Sequence, residues 1–426
     1  MLCFQKGSPT ERLSPADLRA GLFEALDRVG KRARVLAIPP DFTRFHSQAG
    51  ILTEYVWEYF GDRLTDVLPA TGTHFPVSDS EKSMMFGKIP GNLFRVHDWK
   101  NGSVTLGEVP SDIVRKVSGG TVDYSIPVQV DKLIAGGKHD LIISIGQVVP
   151  HEVIGVAGYN KNVFIGTGGP EAINKTHFLG AAYGMERMMG RIDTPVREVL
   201  NYGARCFGSH LPVLYVLTVV ATEPNGSLVV RGLFVGDDEE CFRRAAELSL
   251  RVNVELVEKP LKKVVVYLDA TEFKSTWLGN KSIYRTRMAI ADGGELVVLA
   301  PGLAQFGEDK NIDALIRKYG YIGTPGVLEL VKMHADLRQN LGTAAHLIHG
   351  SSEGRFRITY CPGHISRSDI EGVYFEYGDL AGMTARYDPK RMHDGYHRMP
   401  DGEEIYFISN PALGLWASKE MFQSQR

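Results

Sequence analysis

The chain has 426 residues, 43% of them hydrophobic and 23% charged. That length calls for two or three domains, and the composition excludes disordered, collagenous and coiled-coil proteins. Lys plus Arg number 48 against 50 Asp plus Glu, a formal net charge of −2, so no bulk field draws the chain to nucleic acid or to an anionic membrane.

Small molecules are therefore the expected partners. The four cysteines, Cys3, Cys206, Cys241 and Cys361, have no C-x-x-C spacing. This argues against a disulfide framework and a structural zinc site, and it fits a cytoplasmic setting. Residues 1–14 carry no apolar export signal. The longest largely apolar run, 211–221, is far short of the roughly 20 residues that span a bilayer.

In chain order, Ser14 followed by Pro15 reads as a helix N-cap with proline at the first helical position, and Leu18, Leu22, Leu26 and Val29 then recur at helical spacing. Residues 34–38 are a short apolar run closed by Pro39-Pro40, which predicts a buried strand ending in a loop. Residues 47–59 are helical again. The same strand, loop and helix alternation returns at 141–145 and at 264–268, which predicts an α/β protein with mostly parallel sheets. Ligands bind such sheets in the loops beyond the strand C-termini.

Residues 213–223 and 227–233 flank the turn signal Pro224-Asn225-Gly226 and predict an antiparallel hairpin. A helix is expected over 238–250. The charged, proline-bearing stretch 258–263 precedes a fresh strand and marks the domain boundary. The expected architecture is two mixed α/β domains with largely parallel sheets, 1–258 holding cofactor and catalytic groups and 262–426 closing a cleft that contains the active site.

Three familiar motifs fail. Residues 350–354 fit G-x-S-x-G but follow a helix-like stretch and precede the apparent strand 355–360, the reverse of a nucleophile elbow, which leaves a plain loop. His151-Glu152 opens H-E-x-x-H, yet Gly155 stands where the second histidine belongs. Residues 166–169 fall short of G-x-G-x-x-G, and no Walker-type loop is present.

Four segments combine loop position with versatile side chains. Asp41-Phe42-Thr43-Arg44 follows the first strand, and its guanidinium suits a carboxylate ligand. A surface ion pair at a helix start would look the same. Thr71-Gly72-Thr73-His74 offers hydroxyls and a glycine-freed backbone, either a phosphate or ribose cradle or a simple turn. His97 stands beside Asp98, which could hold one tautomer for acid/base work, although such pairs are more often structural. The stretch 150–180 has His151, Lys161 and His177 among glycines 155, 158, 166, 168 and 169. Imidazole binds nickel, copper, zinc and iron, and a desolvated lysine amine is a covalent handle.

Taken together and in this order, the D-x-T-R of 41–44, the T-G-T-H of 71–74 and the P-H-(9 residues)-K-(15 residues)-H spacing over 150–177 resemble the nickel-pincer-nucleotide lactate racemase family. The resemblance covers most of 35–180 and, more faintly, 264–310 and the stretch around His346. It implies a 2-hydroxy-acid racemase or epimerase working by reversible hydride transfer. Lys161 would tether the nickel-pincer nucleotide and His177 would complete the nickel coordination. His97 and His151 would be paired acid/base groups on opposite faces of the substrate, and Arg44 would bind its carboxylate. Asp41, Thr71, Gly72, Thr73 and His74 would lie against the nucleotide, and the proteins that make the cofactor would be partners.

The sequence departs from the family pattern twice. Tyr159-Asn160 precedes Lys161 where the family has a glycine pair and a small or basic residue. Met288 stands where the family has a substrate-binding lysine, which Lys274, Lys281, Arg285 or Arg287 would replace. Those long polar donors suit a larger, hydroxyl-rich acid such as an aldonate better than lactate. Two other readings use the same residues: a zinc-dependent hydrolase or lyase built on His97, His151 and His177, and a non-catalytic nucleotide- or carboxylate-binding protein.

Overall fold

A computed structural model describes residues 1–223, 226–412 and 414–424. Two of the three residues of the expected turn at 224–226 lie outside the described residues. The chain divides into two compact units, the first made of 1–176 and 190–253, the second of 177–189 and 254–426. Both are mixed α/β with largely parallel sheets.

The first unit opens on a strand that the sequence reading did not anticipate, Leu2–Gly7, followed by the helix Pro15–Val29. The Ser14 side chain accepts from the backbone N–H of Asp17 while the Asp17 carboxylate accepts from that of Ser14, and Gly30, at φ 79°, ends the helix. Its buried Leu18, Leu22, Ala25 and Leu26 pack with Val35, Ala37, Ile143 and Ile145 in one apolar core, the burial that makes a helix of this length stable.

Six strands form the first sheet in the order Leu2–Gly7, Leu228–Gly236, Val213–Thr222, Leu141–Gln147, Val35–Ile38, Leu64–Val67. The last four run parallel and the first two are antiparallel additions at one edge. Two small antiparallel pairs complete the unit, Ser103–Val109 with Ile126–Asp131 and Pro150–His151 with Gly155–Val156.

The second unit has a six-stranded sheet in the order Glu376–Tyr377, Arg357–Pro362, Ile290–Ala300, Leu261–Tyr267, Glu404–Ile408, Gly395–Arg398. Every neighbour is parallel except the final pair. Val264, Val265, Val266, Leu296, Val297 and Val298 are all fully buried, the continuous apolar run expected where both faces of a parallel sheet are covered.

Residues 177–189 group with this unit because Met185 and Met189 sit in its small core with Tyr284, Met288, Leu415, Ala417 and Phe422. A single boundary near 258–263 does not describe that arrangement. Among the described residues no helix is long and apolar enough to cross a membrane.

Candidate functional site

Three adjacent parallel strands, Leu141–Gln147, Val35–Ile38 and Leu64–Val67, release their loops at the same end of the first sheet. From the middle strand the chain passes through Pro39 and Pro40 to Asp41, which caps the 3-10 helix Phe42–Ser47. The strand Leu64–Val67 leads to residues 70–74, and Leu141–Gln147 leads to His151 and Lys161.

Hydrogen bonds stitch these loops together. The Ala70 N–H donates to the Pro39 carbonyl at 2.7 Å and the Gly72 N–H to the Gly166 carbonyl at 2.8 Å. Asn162 Nδ2 reaches the carbonyls of Ile145 at 3.0 Å and Ile38 at 3.4 Å. Gly72 has φ 55°, a left-handed conformation that glycine takes without steric penalty.

Asp41 is buried and accepts from the Thr43 N–H at 3.1 Å, from the Thr43 hydroxyl, and from His74 Nδ1 at 2.6 Å. Burial alone would raise its pKa. The His74 bond and charge, the Thr43 hydroxyl and the Arg44 guanidinium overcome that and hold the carboxyl below its ordinary value. With Nδ1 donating to Asp41, the His74 ring keeps a lone pair on Nε2, and its side chain is 40% exposed.

Lys161 precedes the π-turn Asn162–Gly166. Its amine makes no hydrogen bond among the described residues and is pushed down to about 8, first by burial and next by the Arg44 guanidinium. Glu152 and Asp41 pull the other way, and Arg197 acts in the same sense as Arg44. Lys161, Arg44, Asp41 and Glu152 therefore share one electrostatic neighbourhood, and an appreciable part of the amine is unprotonated and nucleophilic near neutral pH.

His151 is buried, and its Nδ1 accepts from the Val153 N–H at 3.1 Å, which puts the proton of the neutral ring on Nε2. The Glu152 carboxylate lies 3.6 Å from Nδ1. His74 and His151 thus carry complementary tautomers, the first with a basic Nε2 and the second with a protonated one.

His97, expected to be an acid/base group, is placed differently. Its ring is buried, with Nδ1 2.7 Å from Asp131 Oδ2 and Nε2 3.0 Å from the Gly168 carbonyl oxygen. Both nitrogens face acceptors inside the protein, so the ring braces residue 168, just ahead of the helix Pro170–Tyr183. Asp98 is not its partner and instead accepts from the backbone N–H groups of Lys100 and Asn101.

Thr71 is buried and its carbonyl takes the His74 N–H at 2.9 Å, while Thr73 is exposed. His177 is half-buried on the helix Pro170–Tyr183, in the part that groups with the second unit. The loop 350–354 follows the helix Leu341–His349 and precedes the strand Arg357–Pro362, with the Ser351 hydroxyl accepting from the Glu353 N–H.

Of the four basic residues expected to bind substrate, Lys274 is exposed and Lys281 is half-buried, its Nζ 5.5 Å from the centre of the Phe273 ring. Arg285 and Arg287 are 0% and 1% exposed, which corrects the expectation for both. Arg285 donates to the Gly414 carbonyl at 2.8 Å. Arg287 Nε donates to Glu186 Oε1 at 2.8 Å, and its NH2 stands 3.8 Å from Glu353 Oε1. These are internal struts of the second unit.

Arg197 carries no motif and the sequence reading missed it. Its guanidinium binds the Val156 and Gly158 carbonyls and Asn160 Oδ1, the residues just ahead of Lys161. A lone arginine in a helix gives no signal that it is buried.

Among the described residues no group of three or more His, Cys, Asp or Glu side chains is gathered to hold a metal ion. Residues 23–188 match the family described as the lactate racemase N-terminal domain. No curated protein matches the chain.

A solved protein from Thermotoga maritima superposes with a TM-score of 0.82 at 23% identity, covering 97% of this chain and all of that one. The lactate racemase apoprotein of Thermoanaerobacterium thermosaccharolyticum superposes with a TM-score of 0.67 at 15% identity, covering 95% of this chain and 93% of that one. At these identities the two structures show a shared fold.

Proposed function

Residues 23–188 match the lactate racemase N-terminal domain, and from that premise we propose that the chain is a member of that family and inverts C2 of a 2-hydroxy acid with a lysine-tethered nickel-pincer nucleotide. One observation carries the reading. A desolvated, unbonded Lys161 amine stands with Arg44 and the Asp41–His74 pair where three parallel strands release their loops. The residues fit such a group: Lys161 offers a covalent anchor, and Gly72, whose N–H bonds the Gly166 carbonyl, has room on its Cβ side. His177 is the proposed nickel ligand.

When bound, the group supplies a hydride acceptor, which a 2-hydroxy acid needs because its α-hydrogen is too weak an acid for any side chain to remove as a proton at useful rates. Arg44 grips the substrate carboxylate. His74, its Nδ1–H tied to an ionised Asp41, receives the hydroxyl proton at Nε2. His151, its proton held on Nε2 by the Val153 N–H at Nδ1, hydrogen-bonds the same substrate oxygen from the opposite face. His74 returns the proton to that oxygen when the hydrogen comes back, so each turnover leaves both rings as they began. His97 holds backbone instead.

The zinc reading lacks a gathered ligand set among the described residues, whereas a pincer brings its own sulfur and carbon donors and asks the protein for one more. Of the four basic residues of the second unit, Arg285 and Arg287 are withdrawn into its interior, while Lys274 is exposed and Lys281 half-buried. A larger hydroxy acid such as an aldonate stays our expected class.

The test is to produce the chain with and without the cofactor-making proteins, then measure intact mass, map the peptide holding Lys161, assay nickel and follow loss of stereochemical purity for aldonates and short 2-hydroxy acids. Added mass on Lys161 with stoichiometric nickel and inversion at C2 is the expected result. Full activity in unmodified protein would overturn the reading.

A further inference from the structure

Arg197 is 1% exposed on the helix Pro195–Phe207 and makes no ion pair with a carboxylate among the described residues. Its NH1 donates to Asn160 Oδ1 at 2.6 Å, its NH2 to the Val156 carbonyl at 2.8 Å, and both reach the Gly158 carbonyl at 3.4 Å. The guanidinium carbon lies 4.2 Å from the centre of the Phe242 ring, a cation–π contact. The centre of the Tyr159 ring lies 5.9 Å away, and the more distant Glu239 charge also favours the cation. Burying a cation without a directly paired carboxylate is still costly, and burial pushes Arg197 down to about 10.

All of its hydrogen-bond acceptors fall in residues 156–160, immediately before Lys161. There the backbone is strained. Gly158 has φ 97° and Tyr159 has φ 59°, a left-handed conformation that an L side chain enters only at a cost. A Cβ on Gly158 would stand 2.9 Å from Val148 Cγ2.

The Tyr159 ring is wedged 4.4 Å from Tyr215 and stacked 5.6 Å from Phe242. Asn160 Nδ2 donates to Asn201 Oδ1 at 2.8 Å, and Asn201 Nδ2 to Glu239 Oε2 at 3.2 Å. Two helices, Pro195–Phe207 and Glu239–Asn253, therefore hold this strained turn by a chain of side-chain bonds that ends on Arg197.

We propose that Arg197 is a positioning residue: by clamping residues 156–160 it fixes the backbone of Lys161 and aims the amine into its desolvated place beside Arg44, ready for covalent attachment. This rests on the reading of Lys161 as the tether. The charged groups acting on that amine are Arg44 and Asp41 from the segment 41–47, Glu152 from the loop after Pro150–His151, and Arg197 itself. A slackened turn lets water reach the amine and restores its affinity for a proton.

The test is pulse acetylation of the full, cofactor-free chain with acetic anhydride across a pH series, quantified peptide by peptide. The unprotonated amine attacks one carbonyl carbon, acetate leaves, and the proton passes to solvent. In the wild type, Lys161 is expected to titrate with a midpoint near 8 and to outpace the exposed Lys274 at pH 7.5.

In R197M, R197K and N160A the midpoint is expected to rise by at least one pH unit, with about an eightfold or greater loss of rate at pH 7.5 that closes by about pH 10.5. Lys274 serves as the unchanged reference. R197K keeps the charge and loses the fork, and N160A keeps the guanidinium and loses one arm. Wild-type labelling by either variant would overturn the positioning role while leaving the tether intact. A wild-type Lys161 no faster than Lys274 would instead sink the reading of Lys161 as an activated amine. If R197M does not fold, N160A decides the question.

Discussion

Arg287→Met separates a strut from a substrate ligand. In the second unit the Arg287 guanidinium bonds Glu186 at 2.8 Å and stands 3.8 Å from Glu353, itself 1% exposed against side-chain exposures of 19% and 22% for the two carboxylates. Removing one partner of a buried pair leaves charge uncompensated and costs about 3–5 kcal/mol. Arg355 stands 3.9 Å from Glu186, and the Thr324 N–H and hydroxyl bind Glu353, so the lower end, about 3 kcal/mol, is expected.

With an m-value of about 3 kcal/mol/M for a domain of this size, the urea midpoint of the second unit should fall by about 1 M. Hydrogen exchange over the strand Ile290–Ala300 reports it directly. Adding Glu186→Gln should return a good part of the loss, because the two sites are coupled. The reasoning fails if Arg287→Met leaves the midpoint where it was and raises KM alone, for then the side chain meets substrate.

Asp41→Asn keeps the shape of the site but removes the charge that orients His74, and turnover should fall by about 10³ or more while the Lys161 adduct still forms; mass mapping beside a kinetic assay checks both halves. Lys161→Met tests desolvation in the cofactor-free chain. A folded-state pKa of about 8 against an unfolded value near 10.5 means that burying the amine costs stability in full below pH 8, a cost that disappears as the pH rises toward 10.5. The variant should therefore be more stable than the wild type by up to about 3 kcal/mol at pH 7, with the gap narrowing on titration to pH 10.5 in parallel denaturation curves. His97→Gln should lower stability by about 1–3 kcal/mol through the bonds to Asp131 and Gly168, and the pH profile of turnover should keep its shape.

Where periodicity and caps decide, the fold was readable in the sequence. Ser14 and Pro15 start the helix Pro15–Val29 as expected, and the run 34–38 is the buried strand Val35–Ile38. The edge strand Leu2–Gly7 escaped notice because its outer residues are polar and its pairing with Leu228–Gly236 spans more than two hundred residues.

The site was legible as loops and residue types and not as partners. His97 has an aspartate beside it in sequence, yet its partner is Asp131; His74 has none nearby, yet it meets Asp41. Arg285 and Arg287 look like donors until burial is known, and the carboxylate that binds Arg287 comes from Glu186. Such pairings arise from tertiary structure, which spacing along one chain does not encode.

The polypeptide passes between its two units at 176–177, 189–190 and 253–254. No single cut therefore yields an intact half. A fragment stopping at residue 253 would strand Met185 and Met189 without their apolar companions and invite clumping, while one starting at 254 would lack part of its own interior. Gene fission, domain shuffling and truncation libraries should all find this chain indivisible.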